Sequence, residues 1–272
     1  MNVSVPEEPA LPESPSLGRI CINGGNVKVK RNQAWSSLPS ASLGVGPAEL
    51  IAGDMAAGFF GEVAPTEFIS GSSLAQSIGL TQGNSIYDSY PWLKCALDGK
   101  VVFLPQRALR NDVSWLDIYN VGAVHGDNTY GPYPPSSPVL QDATVEINGD
   151  LYRVRLLRGS SSDSFNASTG YDTDESLGSE WNRLLYRLCA SVPASQSLGN
   201  LADYSQVDLG VADNAGLVGQ WAYCMESYRM RDNAWLKRGG YGITSAWATG
   251  SGFTGSGRTT YNGWRPVLEL MS

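Results

Sequence analysis

Residues 213–269 read DNAGLVGQWAYCMESYRMRDNAWLKRGGYGITSAWATGSGFTGSGRTTYNGWRPVLE, and the fold is predicted from this stretch. A glycine-flanked aromatic run, GLVGQW at 216–221, comes first and is followed by LKRGG at 236–240. A loop of small polar residues then leads into GWRPVL at 263–268. The three pieces alternate large apolar residues with glycine, which is typical of short strands joined by tight connections.

Each piece has a local conformational preference. The pair Gly239-Gly240 allows positive φ and a close approach of neighbouring chains. Arg265 precedes a proline, so the helical region is disfavoured there and the segment stays extended. Residues 264–268 are therefore predicted to form a last strand that turns Trp264 and the pair at 267–268 into the core.

The loop at 243–262 consists mostly of Gly, Ser, Thr and Ala, with a few large side chains between them. Such a segment buries little surface itself but can present aromatic and hydroxyl groups to a partner. The candidate binding residues are Trp247, Phe253, Arg258 and Tyr261, supported by Tyr130 and Tyr133 from the proline-rich loop at 125–138. Two alternatives stay open, namely a poorly ordered surface loop and local core packing of Trp247 and Phe253. For Trp221, Trp235 and Trp264, core packing is the interpretation we favour.

The order of the three pieces resembles the C-terminal half of the formylglycine-generating-enzyme (sulfatase-modifying-factor) domain, a variant of the C-type-lectin fold. That family shows G-N-V-W-E-W, then R-G-G-S-W, then G-F-R-(P/L)-V in the same order. Residues 179–181 (SEW) are similar to the start of the family's E-A-E-W helix. The segment LIAGDMAAGFFGEV at 50–63 and the GWRPVLEL ending are similar to those of bacteriophage virion proteins in this group. The resemblance covers residues 90–270.

This resemblance implies an α+β chain with a C-type-lectin-like domain of short twisted antiparallel strands, two helices and long loops. Residues 90–272 are predicted to form that domain. Residues 18–89 are predicted to be a small β-rich virion-attachment region, with a domain boundary near 85–90. Residues 1–17 carry a proline at every third position from 6 to 15 and are predicted to be an extended arm.

Turn and cap signals place several elements. Alternating apolar residues flank Asn23–Asn26, Asp98-Gly99 and Asn148-Gly149, which predicts three hairpins. Residues 67–78 are predicted to form a turn that leads into a short helix. Helices are also predicted at 114–122 after a serine cap, and at 180–189, where Trp181, Leu184, Leu185 and Leu188 form one stripe.

Charge and composition exclude several classes of function. The net charge is −7 and no run of Lys or Arg stands out, so nucleic acid is not an expected partner. The chain has no apolar run of 18 residues, and its acidic N-terminus lacks the pattern of a signal peptide, so no membrane insertion is expected. The four cysteines are widely spaced, which predicts buried free thiols and no structural zinc.

The chemistry of the related enzymes is missing from this sequence. There is a single histidine, His125, so a two-histidine iron site cannot form. The resemblance places redox cysteines shortly after the R-G-G element, but residues 241–262 contain none. We therefore expect no catalytic residues, no enzyme activity, no metal and no cofactor. Structural calcium is the alternative left open, with loop carboxylates at Asp172, Asp174, Glu175, Asp203, Asp208 and Asp213 as ligands.

The resemblance implies a non-enzymatic surface protein of a phage particle, in the tail, collar, fibre or capsid decoration. It would be made in the host bacterial cytoplasm and assembled into the virion as a homo-oligomer with other virion proteins. Its lectin-like domain would bind a glycan or protein of the host cell surface. The alternative is a purely structural decoration, collar or fibre-anchoring protein, whose loops contact other virion subunits. The sequence does not separate the two hypotheses.

Overall fold

The structure is a computed structural model, which describes residues 20–23, 26–31, 34–37, 43–132, 134–160, 179–189, 199–212, 217–227, 235–248 and 257–271. It divides the chain between Ser42 and Leu43 into two compact units. The first unit contains a three-stranded antiparallel sheet of β1 (Ile20–Asn23), β2 (Asn26–Arg31) and β3 (Ala34–Ser37). Asn23 pairs with Asn26, which confirms the first predicted hairpin.

The second unit is built around a seven-stranded antiparallel sheet. Its strands are β4 (Ala52–Gly53), β5 (Ala57–Val63), β7 (Trp92–Leu97), β8 (Lys100–Pro105), β10 (Thr144–Ile147), β11 (Asp150–Leu156) and β16 (Pro266–Leu270). They lie in the order β10-β11-β16-β8-β7-β5-β4. The last strand of the chain thus lies in the middle of the sheet, where both neighbours cover its edges.

Two tight turns set the register of this sheet. Asp98 and Gly99 have φ of 49° and 80°, and Asn148 and Gly149 have φ of 54° and 86°. Positive φ at both central residues is the backbone of a two-residue hairpin turn that matches the right-handed twist of its strands. The β7–β8 and β10–β11 hairpins are therefore confirmed as predicted.

A second, six-stranded sheet holds most of the C-terminal stretch. Its strands are β6 (Asn84–Ser85), β9 (Arg110–Asn111), β12 (Trp221–Ser227), β13 (Trp235–Gly239), β14 (Ala246–Ala248) and β15 (Asn262–Trp264). The order is β14-β13-β12-β15-β9-β6, with β12 and β15 parallel and the other pairs antiparallel.

Both faces of the seven-stranded sheet are covered by apolar side chains. One core cluster packs against α1 (Gly71–Ser77) and α2 (Trp115–Asn120), which confirms the helices predicted within 67–78 and after Ser114. The other cluster packs against a helical segment at 180–188. The described part of the second unit is thus mostly antiparallel sheet with few helices, in agreement with an α+β or β-rich chain.

Two expectations need correction. The helix predicted at 180–189 is a short π-helical turn, Asn182–Tyr186, although the stripe of Trp181, Leu184, Leu185 and Leu188 is fully buried as expected. The boundary predicted near 85–90 falls inside the second unit, because β5 pairs with β7 along six residue pairs. The predicted arm at 1–17 lies outside the described residues.

Candidate functional site

The C-terminal loop predicted to bind a partner is anchored on a rigid frame. Arg238 of the R-G-G element is 1% exposed and crosses the core. Its guanidinium donates to the carbonyl oxygen of Gly159 at 2.7 Å, to Oδ1 of Asn182 at 3.0 Å and to the carbonyl oxygen of Ser245 at 3.3 Å. The arginine therefore joins β13 to the π-helical turn and to the beginning of the loop.

Arg265 fixes the other end of the loop. It is 3% exposed and donates to the carbonyl oxygens of Pro105 at 3.0 Å, Leu209 at 2.9 Å and Gln106. Burial lowers the pKa of Arg265, and the three carbonyl dipoles that face its guanidinium favour the charged form. The extended conformation predicted before Pro266 is thus held by side-chain bonds as well.

The two glycines of the R-G-G element have the predicted positive φ, 90° at Gly239 and 82° at Gly240. A side chain at Gly240 would overlap the indole ring of Trp221. Glycine is therefore needed here for close approach as well as for its backbone angles. The close contact places Tyr241 at the surface, with its ring edge-on to Trp221 at 5.3 Å.

Polar bonds hold residues 257–262 against β12 and β13. The Lys237 amine donates to Oδ1 of Asn262 at 2.7 Å, and the amide nitrogen of Asn262 donates to the hydroxyl of Tyr223 at 2.8 Å. The same hydroxyl lies 3.4 Å from the carbonyl oxygen of Gly257. One tyrosine and one asparagine thus fix both ends of this short segment.

Lys237 is 7% exposed and lies 5.8 Å from the centres of the Trp221 and Tyr223 rings. Burial lowers the pKa of its amine to about 8. The lysine pairs with Trp247 of β14, so β13 connects the predicted binding residue Trp247 to Asn262 and its neighbour Tyr261.

Arg258 is anchored to α2. Its guanidinium donates to both carboxylate oxygens of Asp117, at 2.8 Å and 2.7 Å. Asp117 also accepts from the backbone nitrogen and the hydroxyl of Ser114, which completes a capping box at the start of the helix. Burial alone would raise the pKa of Asp117, but the bonds from Arg258 and Ser114 outweigh it and lower the pKa.

Exposure separates binding candidates from core residues. Tyr261 and Tyr130 are 56% and 51% exposed, and Trp221, Trp235 and Trp264 are buried, as favoured from the sequence. The carbonyl oxygen of Tyr130 accepts from the hydroxyl of Tyr119 on α2 at 2.8 Å. The backbone of Trp247 lies in β14, while its side chain is outside the described part of the chain, as are Phe253 and Tyr133.

The sequence did not single out Tyr241, which is 63% exposed beside the R-G-G element. The signal that could have identified it is a large aromatic residue directly after two glycines. We use the term C-terminal surface for Tyr241, Trp247, Arg258 and Tyr261. Among these, three side chains are described, and all three are exposed above buried strands.

Cysteines and loop carboxylates are further groups in this chain with metal-binding chemistry. Three cysteines whose side chains are described, Cys95, Cys189 and Cys224, are buried free thiols as predicted, and burial raises the pKa of Cys95 and Cys224. Asp208 accepts from the backbone and hydroxyl of Ser205 in a local turn. Within the described ranges, no group of three His, Cys, Asp or Glu side chains is placed to hold a metal ion. Most of the carboxylates considered for calcium lie outside those ranges.

Comparison of the chain with protein-family models, with curated proteins and with solved structures finds no match. Among the helices that the structure describes, none is long and apolar enough to cross a membrane. A function for this chain must therefore be inferred from its residues and their geometry.

Proposed function

We propose that this chain is a non-enzymatic surface protein of a bacteriophage particle that works without a cofactor. Its second unit would be a C-type-lectin-like domain of the formylglycine-generating-enzyme type. The C-terminal surface would bind a glycan or protein on the host cell, and the rest of the chain would contact other virion proteins in a homo-oligomer. The proposal combines the sequence resemblance with the geometry of that surface.

The observation that carries this proposal is the contrast between the C-terminal surface and the strands beneath it. Tyr241 and Tyr261 are more than half exposed, whereas Trp221 and Lys237 below them are nearly inaccessible. Exposed aromatic rings on a rigid frame bury a large area against a partner at little entropic cost. Arg258, which precedes Tyr261 by three positions in the chain, adds a planar donor that Asp117 holds in place.

Binding of the labelled full-length chain to intact cells from a panel of bacterial species tests the proposal. The parent chain should bind cells of at least one species, and a Trp247→Ala/Tyr261→Ala double variant should lose at least tenfold in affinity. Tyr241→Ala should also weaken binding. Ile51→Ala is the matched control, because Ile51 is 67% exposed but belongs to the seven-stranded sheet region.

The double variant must melt like the parent for its loss of binding to count. If it melts normally and binds as well as the parent, the C-terminal surface is not the binding site. If the parent binds no cell in the panel but co-purifies with particles, the decoration or collar hypothesis replaces host binding.

A further inference from the structure

A cleft of about 610 Å³ opens at the charged end of β11, on elements other than those of the C-terminal surface. Its floor is formed by Arg153 and Arg155 of β11 and Glu269 of β16. The loop at 125–132 forms one wall, and Arg158 with Glu180 forms the other. A cleft of this volume is within the range that small ligands occupy in proteins.

The floor of the cleft is held together by ion pairs between its own side chains. Arg155 is 6% exposed and donates to both oxygens of Glu180, at 2.7 Å and 2.9 Å. It also donates to Glu269 at 3.2 Å and to the carbonyl oxygen of Leu156 at 3.1 Å. Burial disfavours its charge, but the two carboxylates outweigh that effect and raise the pKa of Arg155. Four bonds leave this arginine little capacity for a ligand.

Both carboxylate oxygens of Glu269 also accept hydrogen bonds within the protein. Its Oε1 accepts from the Lys100 amine at 2.6 Å and from Arg153 at 3.2 Å, and its Oε2 accepts from Arg155. Burial raises the pKa of Glu269, but the bonds from Lys100 and Arg155 lower it overall. Lys100, Arg153 and Arg155 therefore share one carboxylate, and Arg153 keeps part of its charge for another partner.

Arg158 provides a second cation beside Arg153. Its backbone nitrogen donates to Glu180 at 3.0 Å, which fixes the residue at the cleft wall. Its side chain is exposed, and within the described ranges its guanidinium makes no hydrogen bond or ion pair. Arg153, whose side chain is 30% exposed, faces the same space. Two guanidinium groups thus point donors into the cleft of a chain whose net charge is −7.

The wall formed by the loop at 125–132 packs closely on the floor and is polar. Asp127 accepts from the backbone nitrogen and hydroxyl of Thr129, and that hydroxyl accepts from Gly131. A side chain at Gly126 would come within 2.9 Å of Arg153, so the loop packs directly on the arginine stems. Apolar lining is limited to Met225 and Pro132. Such a lining suits a ligand covered with hydroxyl groups and disfavours an apolar one.

We propose that this cleft binds a saccharide that carries an anionic group, either a carboxylate or a phosphate. Arg158 and Arg153 bind the anion, because a guanidinium fork matches the geometry of both groups. The sugar hydroxyls face Glu180, Asp127 and the backbone of the loop wall. The site goes beyond the proposed host-binding surface, and it requires no residue of that surface.

Calorimetric titration of the full-length chain at low salt tests this site. D-glucuronate and glucose 6-phosphate are the two anionic probes, and D-glucose is the neutral one. We expect at least one anionic probe to saturate with a Kd of about 1 mM or tighter, at least tenfold tighter than glucose. The better of the two anionic probes identifies whether a carboxylate or a phosphate is preferred. Saturation by none of them, or equal affinity for glucose, overturns the proposal.

Variants locate the binding in the cleft. Arg158→Ala removes an exposed side chain and should weaken binding of the better probe at least tenfold without changing the melting temperature. Arg153→Gln should also weaken it. Arg110→Gln is the control, since it removes a guanidinium from β9, outside both the cleft and the C-terminal surface, and should leave probe binding unchanged. Unchanged affinity in Arg158→Ala, or an equal loss in Arg110→Gln, would show that the anion binds elsewhere.

Discussion

Lys237 shows why a site residue can escape notice in a sequence. Within LKRGG it looks like an ordinary surface lysine, but β12 and β14 on either side of β13 enclose it. Its amine has Asn262 as hydrogen-bond acceptor and two aromatic rings nearby. The hydrogen-bond acceptor and the two rings come from other segments of the chain. Only the tertiary structure therefore reveals the lowered pKa of Lys237.

The buried amine predicts a pH-dependent stability. Its pKa falls from 10.5 to about 8 on folding, so between these values the unfolded chain holds a proton that the folded chain has released. The contribution of Lys237 to the free energy of unfolding is therefore lowest below pH 8, where both states are protonated. It rises as the pH increases from about 8 towards 10.5. Relative to Lys237→Met, the parent should gain up to about 2 kcal/mol of unfolding free energy between pH 7 and 9.5.

Urea unfolding of both chains at several pH values measures this difference. Lys237→Met keeps the apolar stem in place and removes only the titrating group. Measurements stay below pH 10, because burial also raises the pKa of Tyr223 and its ionisation would destabilise the fold at higher pH. Parallel pH profiles for the two chains would contradict a titrating Lys237.

At the level of elements, sequence signals were reliable where the geometry depends only on residues that are neighbours in the chain. The turns at Asp98-Gly99 and Asn148-Gly149 need positive φ, and the α2 cap needs a serine followed by a carboxylate. The π-helical turn differs from its prediction for a tertiary reason. Its beginning is held by Arg238 binding Asn182 and by Arg155 binding Glu180, contacts with segments far away in the chain that a helical period does not encode.

The capping box of α2 predicts a hierarchy of stability effects. Ser114 is 1% exposed, and its hydroxyl accepts from the Asp117 backbone at 3.1 Å. Ser114→Ala should therefore destabilise the fold by about 1 kcal/mol, the usual loss for an N-cap. Arg258→Ala should cost about 0.5 kcal/mol or less, because the Arg258 side chain is 46% exposed and its ion pair is screened.

Chemical denaturation of the two variants checks this order. Added salt should reduce the effect of Arg258→Ala while leaving that of Ser114→Ala unchanged. A larger loss in Arg258→Ala than in Ser114→Ala would mean that the ion pair, not the cap, holds α2.

At the scale of the whole molecule, the unit beginning at Leu43 contains both core clusters. A chain of residues 43–272 should therefore fold and melt within about 2 °C of the full-length protein. Circular dichroism during heating measures this. A large drop in melting temperature would show that residues 1–42 contribute to the stability of the second unit.

A slightly shorter chain provides the control. Lys94 is fully buried, and its amine donates to the carbonyl oxygens of Pro47 at 2.6 Å and Gly44 at 3.5 Å. A chain that begins at Glu49 lacks both acceptors and leaves a buried amine without them. It should lose on the order of 2–3 kcal/mol of stability relative to residues 43–272. Equal stability of the two truncated chains would contradict this role of Lys94.

The sequence by itself determined the hairpins, the Ser114 helix cap and the burial of Trp221, Trp235 and Trp264. These features follow from backbone preferences and side-chain polarity, which act between residues close in the chain. It also pointed to Arg258, Tyr261 and Tyr130 as exposed binding candidates, because large polar side chains in loops rich in small residues or proline have few neighbours to bury them. The last strand predicted at 264–268 is divided at Arg265, with Trp264 in β15 of one sheet and Pro266–Leu270 as β16 of the other.

Only the tertiary structure decided where the chain divides, why Lys237 has a lowered pKa, and that Arg153, Arg155, Glu180 and Glu269 meet in one cleft. These features depend on β16 lying between β8 and β11 and on β15 pairing with β12, contacts between segments far apart in sequence. Burial and charge pairing depend on distance in space, which no local pattern encodes. The charged cleft can therefore be recognised only from the tertiary arrangement of the strands.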